Sequence, residues 1–228
     1  MAISFESLLT DILPLVAGCT DTMAEKAIRS ATIELCEKSD IYQIELDPTT
    51  TQEGIYEYDF DTPNQTSVQK IMWATHDGKD LEPISSTLLE QREPGWRKPD
   101  KFSVPKYITK HSQTSFRLVP VPNSTLTNGT IIRVSLKPTN TSAACDELVM
   151  ADNRDTIISG ALFRLLRMPA QVWTDYSGAQ IYGAAFAEGI RDAELKARHA
   201  DVGVARRVKY GGIPQRTRHA KRGWRTAY

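Results

Sequence analysis

Residues 147–200 constrain the chain most, because they hold two apolar stripes at helical spacing with a proline between them. In the first stripe Leu148, Ala151, Ile158, Ala161, Leu162, Leu165 and Leu166 recur every three or four residues, opposite Asp152, Asn153, Asp155 and Arg164. That spacing predicts one amphipathic helix. Met168-Pro169 ends it, since proline has no amide hydrogen and disfavours helical backbone in the residue before it. The second stripe is Tyr182, Phe186, Ile190, Ala193, Ala197 and Ala200, with Thr174 or the Ser177-x-x-Gln180 box to cap the first amides. Two antiparallel helices cannot bury both stripes on each other alone, so the hairpin requires a third helix or a sheet.

The natural third member lies at the other end of the chain. Residues 22–38 open with a Thr22-x-x-Glu25 capping box and carry Ala24, Ala27, Ile28, Ala31, Leu35 and Cys36 on one narrow face. So much alanine lets a neighbouring helix come close. Before it, residues 4–13 predict a short helix with Phe5, Leu8, Leu9 and Ile12 inward, ending near Pro14 and Gly18.

From 41 to about 139 the helical period disappears and β-branched and aromatic residues cluster between regularly spaced turn residues. Strands are predicted over 42–46, 55–60, 67–75, 106–110, 115–119 and 130–136. Asp77-Gly78 marks a tight hairpin between Trp73 and Leu81, because both residue types tolerate positive φ. Residues 85–92 predict a helical turn, and 93–105 a loop that Trp96 pins to the sheet. The fold expected is α+β: a helical bundle formed from both ends of the chain (1–40 and 146–202), an inserted antiparallel β domain (41–145) and an extended basic C-terminal arm (203–228).

Composition is that of a globular chain, 40 % apolar and 25 % charged. No run approaches the roughly 18 apolar residues of a membrane span, and the start MAISFESLLTDILPLVAG has acids where a secretion signal needs an early positive charge. The expected location is therefore inside a cell, or a particle assembled there. Cys19, Cys36 and Cys145 are odd in number and widely spaced, so they are read as reduced. The Asn-x-Ser/Thr matches at Asn64, Asn123, Asn128 and Asn140 are read as turn residues.

A net charge of zero conceals a strong asymmetry. Residues 203–228 carry Arg206, Arg207, Lys209, Arg216, Arg218, Lys221, Arg222 and Arg225 with no acid, a charge of +8. The first 202 residues keep 20 of the 28 basic side chains against all 28 acidic ones, or −8. An acidic body with a basic tail reports a partner. The candidate partner-binding residues are those eight cations together with Tyr210, Trp224 and Tyr228.

No reaction centre is visible. His76, His111, His199 and His219 share no ligand spacing, which leaves neither a metal site nor a cofactor site. Gly211-Gly212 lacks the Gly-Lys-Ser/Thr of a phosphate loop, and no nucleophile elbow or His-Glu-x-x-His run occurs. Asp152 and Asp155 read as a solvated helix face. The chain is expected not to be an enzyme. Two classes remain: a structural component whose tail reaches a partner protein, and a nucleic-acid-binding protein whose basic tail grips phosphates and stacks aromatics on bases. The acidic body favours the first, since it would repel a nucleic acid held beside it.

Several segments are familiar as a set. They are Pro14 to Cys19, Ala24-x-x-Ala27-Ile28-x-x-Ala31-x-x-x-Leu35-Cys36, Leu46-Asp47-Pro48, Pro94-Gly95-Trp96, Arg117-Leu118-Val119-Pro120-x-Pro122, and Gly160-Ala161-x-x-x-Leu165-Leu166-x-Met168-Pro169 with Trp173. In order and spacing over residues 10–200 they resemble the head-to-tail adaptor (connector) proteins of tailed bacteriophages. The resemblance implies a virion protein at the head-tail junction, assembled in the host cytoplasm. It implies a ring of copies, usually a dodecamer, beneath the portal protein. Such a ring joins the portal to a downstream tail or nozzle protein and continues the channel for DNA, which passes without sequence-specific binding during genome ejection. It implies no membrane partner and no cofactor.

Overall fold

A computed structural model describes residues 2–98 and 102–199. The chain is a mixed α+β fold, with ten strands and six α-helices among the described residues. It opens with β1 (Ala2–Ser4), a 3₁₀ turn, α1 (Leu9–Ile12), a second 3₁₀ turn, and α2 (Asp21–Ser39). A run of strands follows: β2 (Gln43–Glu45), β3 (Thr49–Thr51), β4 (Glu57–Asp59), β5 (Thr66–His76) and β6 (Lys79–Pro83). After α3 (Ser86–Arg92) come β7 (Tyr107–Lys110), β8 (Ser115–Val119), β9 (Leu126–Pro138) and β10 (Ala144–Asp146). The chain then forms α4 (Glu147–Asp152), α5 (Arg154–Leu166) and α6 (Tyr176–His199).

The helices meet where side chains are absent. A Cβ placed on Gly160 of α5 would lie 2.6 Å from the Phe186 ring of α6 and 2.9 Å from the Ala31 Cβ of α2. One placed on Gly183 would lie 2.8 Å from the Phe163 ring, and Gly189 faces Thr156. Rising numbers on α6 thus meet falling numbers on α5, so the two run antiparallel. The α2 stripe predicted from its period is buried in full: Ala24, Ala27, Ile28, Ala31, Leu35 and Cys36. Each large member contributes roughly 1.5–3 kcal/mol by leaving water.

Four local expectations need correction. The first long helix is two helices: Asn153, with φ −120° and ψ 25°, breaks it and sends its side-chain amide back to the Val149 carbonyl at 3.1 Å. The break shifts the phase, so Val149 and Met150 are buried while Leu148 is 75 % exposed and Ala151 faces solvent. Asn153 itself is buried, not on the polar face. Arg164 is a half-buried strap: its guanidinium donates to the Gly160 and Ser30 carbonyls, pairs with Glu34 and covers the Phe186 ring at 5.3 Å. Burial lowers its affinity for a proton and Glu34 opposes that, so the charge persists. Helix α2 begins at Asp21 after an N-cap at Thr20, so the Thr22 box lies inside the helix. The hairpin's second helix is capped by Asp175, whose carboxylate accepts from the Ser177 amide (3.0 Å) and hydroxyl (2.7 Å). Those bonds, with one from the Gly178 amide, hold the Asp175 carboxyl below its ordinary value, against a small effect of burial. Thr174 instead donates to the Met168 carbonyl and closes the turn.

Eight strands form a curled sheet in the order β2-β9-β5-β6-β7-β8-β4, with β3 also on β9, and β1 pairs with β10 separately. Every predicted strand is present. The Asp77-Gly78 turn carries φ of 51° and 71° and joins His76 to Lys79 across β5 and β6. The sheet is not wholly antiparallel: Glu82 and Pro83 pair in parallel with Tyr107 and Ile108, because the crossover through α3 returns the chain to the same end. The inward row of β9, Ile132, Val134 and Leu136, joins the helical stripes in one apolar core. At the junction Asp40 caps α2 with φ 52°, pairs with Lys70 and accepts from the Ser135 hydroxyl at 3.1 Å. Lys137 pairs with Glu37 at 2.5 Å beside it.

Two outcomes test this packing. Gly160→Ala gains up to about 1 kcal/mol of helix propensity but overpacks a contact costing roughly 1–3 kcal/mol, so its melting midpoint should fall. Leu165→Ala should lose about 2–5 kcal/mol; unchanged midpoints in both variants would show the helices to be further apart than described. The second outcome concerns His76, which is buried with Nδ1 2.9 Å from the Thr130 hydroxyl. Burial, helped by Lys79 and opposed by Asp77, holds it below the ordinary histidine value. The unfolded chain takes up that proton near pH 6.5 and the folded one resists it, so stability is lost as pH falls below about 6.5. In thermal melts the midpoint should drop between pH 7.5 and 5.5 by more in the native chain than in His76→Asn.

Candidate interaction surfaces

The eleven sequence-predicted partner-binding residues, Arg206, Arg207, Lys209, Tyr210, Arg216, Arg218, Lys221, Arg222, Trp224, Arg225 and Tyr228, lie outside the described residues. What the described residues bring together is a set of surfaces built by motifs distant in sequence.

The first is made by Pro94-Gly95-Trp96 and the Arg117 to Pro122 segment. Trp96 packs on the small apolar cluster of Ile84, Leu89 and Val119, which holds the loop against α3 and β8 as its sequence predicted. Its indole donates to Glu90 at 3.0 Å, and Arg97 lies over the same indole at 5.0 Å and pairs with Glu90. Val119-Pro120 is a cis peptide. Tyr56, Trp96, Val119, Pro120 and Val121 wall a notch of about 20 Å³, which holds roughly one water-sized guest. On its rim Arg117 covers the Tyr56 ring at 5.3 Å and donates to Glu57 at 3.0 Å. Burial pushes the Glu57 carboxyl up, but Arg117, His111 and Ser115 together hold it below its ordinary value. A notch of that size admits a water or the tip of one small group.

The second surface is the tip of the helical hairpin. Val172 is 93 % exposed beside half-buried Trp173, whose ring lies 3.7 Å from the Cβ position of Gly18. Leu15 and Tyr176 are exposed as well. The third is a groove between the last turn of α6 and the open face of the sheet, in two lobes of about 260 and 640 Å³ that share Gln43, Arg133 and Ala197. Trp73, 39 % exposed, stands opposite Arg133 across the β5–β9 ladder.

Sequence reasoning did not single out Arg133, Trp73 or Val172. The first two were legible as the outward members of strands whose alternate residues face the core. Val172 follows a proline-marked turn, where no periodicity signals exposure. Among the described residues no group of three or more histidine, cysteine or acidic side chains could hold a metal ion, and no helix is long and apolar enough to cross a membrane. Cys36 and Cys145, distant in sequence, meet in the core: the contact with Cys145, together with burial, raises the Cys36 thiol well above its ordinary value and makes it a poor nucleophile.

No curated protein matches the chain. The model of the SU10 adaptor protein family matches residues 4–209, which takes in every helix and strand described above except the first two residues of β1. The chain therefore belongs to the SU10 adaptor protein family, SU10 being a phage, and is a phage head-to-tail adaptor.

Proposed function

We propose that the protein forms a ring beneath the portal, joins it to a downstream tail or nozzle protein and continues the DNA channel. The observation that carries this reading is the family match over residues 4–209, joined to a body of charge −8 followed by a segment of charge +8. An acidic wall lets DNA slide without adhering, and the basic segment reaches a partner outside the parent subunit. The role is structural, without catalysis, and is carried out in the virion at the head-tail junction. A helical body drawn from both ends of the chain (1–40 and 146–202) forms the trunk, the β unit 41–145 projects from it, and 203–228 is the arm. Twelve copies, matching a dodecameric portal, is the stoichiometry this reading favours.

Copies of like charge repel one another, so the ring forms on the portal as template. Light scattering of the isolated protein should give a monomer or weak association, and a stable ring in dilute solution would exclude templating. Deleting 203–228 should leave a folded body that no longer assembles on DNA-free portals. Its arginines suit two-pronged contact with carboxylates, and Trp224 and Tyr228 anchor the contact. A truncated protein that still completes portal complexes, and loses only DNA retention, would overturn the docking role and favour the nucleic-acid reading. That reading requires affinity to fall linearly with the logarithm of salt concentration.

A further inference from the structure

The curled sheet does not close. Its end strands are β2 on one side and β4 on the other, and no ladder joins them. The chain nevertheless makes them arms of one wide hairpin: residues 43–51 run out along β9, turn at 52–56 and return along β8 as 57–63. At the closed end the Tyr58 hydroxyl accepts from the Gln52 amide at 3.1 Å and lies 2.7 Å from the Ile55 carbonyl, to which it donates. At the open end the arms part around a groove of about 330 Å³, walled by residues 44–47 from one arm and 61–63 from the other.

Both walls are unpaired strand edges. Leu46 donates its amide to Ile132 and Tyr42 accepts from Leu136, so the even-numbered residues of the first arm turn their main chain toward β9. Glu45 and Asp47 therefore turn theirs away from it. On the second arm Phe60 donates to Thr114 and Tyr56 accepts from Leu118, which leaves the main chain of Asp59 and Asp61 facing away from β8. Two features keep the arms from pairing with each other. Pro48 and Pro63 have no amide hydrogen to give, and Glu45, Asp47 and Asp61 bring like charge to both sides of the groove. These three acids are exposed, and none has an ion-pair or hydrogen-bond partner among the described residues.

We propose that an extended segment of another head or tail protein, bearing lysine or arginine at alternate positions, docks in this groove as an added strand. Its main chain bonds to the free edges at Glu45, Asp47, Asp59 and Asp61, and its cations meet the carboxylates. The partner is a different protein because every described strand of this chain already lies in a sheet, and an adaptor meets other head and tail proteins. A nucleic acid is the poorer occupant, since the same carboxylates repel it. The inference stands on the strand edges and their charges, whatever the arrangement of copies, and is tested on the isolated protein.

The test is fluorescence anisotropy on the full chain with a labelled eight-residue peptide of alternating lysine and threonine. Saturable binding is expected, lost when the peptide amides are N-methylated and absent for the glutamate-threonine counterpart. Asp47→Asn combined with Asp61→Asn should weaken it about fivefold, the loss expected of two exposed ion pairs. Both positions are exposed, so the double variant keeps the fold. In hydrogen exchange the amides of Glu45, Asp47, Asp59 and Asp61 should exchange freely without the peptide and slow with it. No saturable binding would overturn the proposal and leave the acids as guards of the sheet edge against self-association. Binding indifferent to N-methylation, or unchanged in the double variant, would overturn it by placing the peptide elsewhere. Amides already slow without the peptide would put the chain's own basic segment in the groove, and slowing that grows with protein concentration would put a second copy there. Either result overturns docking of a different protein.

Discussion

The fold depends on one close approach, at Gly160, where α5 touches α2 through Ala31 and α6 through Phe186 with no room for a methyl group. Distances that short bring whole helix faces into van der Waals contact. They bury the alanine-rich stripe of α2, which has too little side-chain bulk to fill a wider gap. Arg164 finishes the arrangement by spanning the same three helices, bonding to α5 and α2 and covering an α6 ring. Because α2 and the α5–α6 pair are separated by more than a hundred residues, this contact closes the chain on itself and requires everything between them to return to its starting place. The sheet does so, and Asp40, Glu37, Lys70 and Lys137 tie its β5 and β9 strands to the end of α2.

Where local pattern and global packing agree, the sequence was sufficient. The α2 stripe, the Asp-Gly hairpin and the long β5 and β9 strands announce themselves by period or by turn chemistry, and each is present. The failures have physical causes. Leu148 and Ala151 continue a helical period on paper, but one non-helical residue at Asn153 rotates everything before it. Three oxygen-bearing side chains, Thr174, Asp175 and Ser177, compete within four residues to cap α6, and spacing alone does not rank a carboxylate above the two hydroxyls. Strand β3 is three threonines, which offer no apolar alternation, and the parallel β6–β7 pair is decided by where a distant crossover lands. As for the surfaces, the motifs that build the Trp96 notch were legible as motifs but not as neighbours. Arg133 was legible only as an outward residue, because the groove it floors exists only in the assembled fold.

The distribution of charge links this architecture to an adaptor's task. Several cations of the body, Lys70, Lys137, Arg154 and Arg198 among them, pair with a nearby acid, while the chain's excess of positive charge is gathered beyond residue 203. The first 202 residues keep an excess of eight acids, which disfavours contact with a polyanion. The body also exposes large apolar side chains, among them Leu15, Leu148, Val172 and Tyr176, as expected of surface that partners cover.

The central claim, that this chain is a ring component joining portal to tail, is tested most directly by a reconstruction of the phage head-tail junction in which the α2–α5–α6 contact and the β5–β9 ladder can be traced. The account predicts one copy per portal subunit in a closed ring directly beneath the portal, with acidic side chains toward the channel. Density for the chain elsewhere in the particle, or a junction in which portal and tail meet without it, would contradict the account.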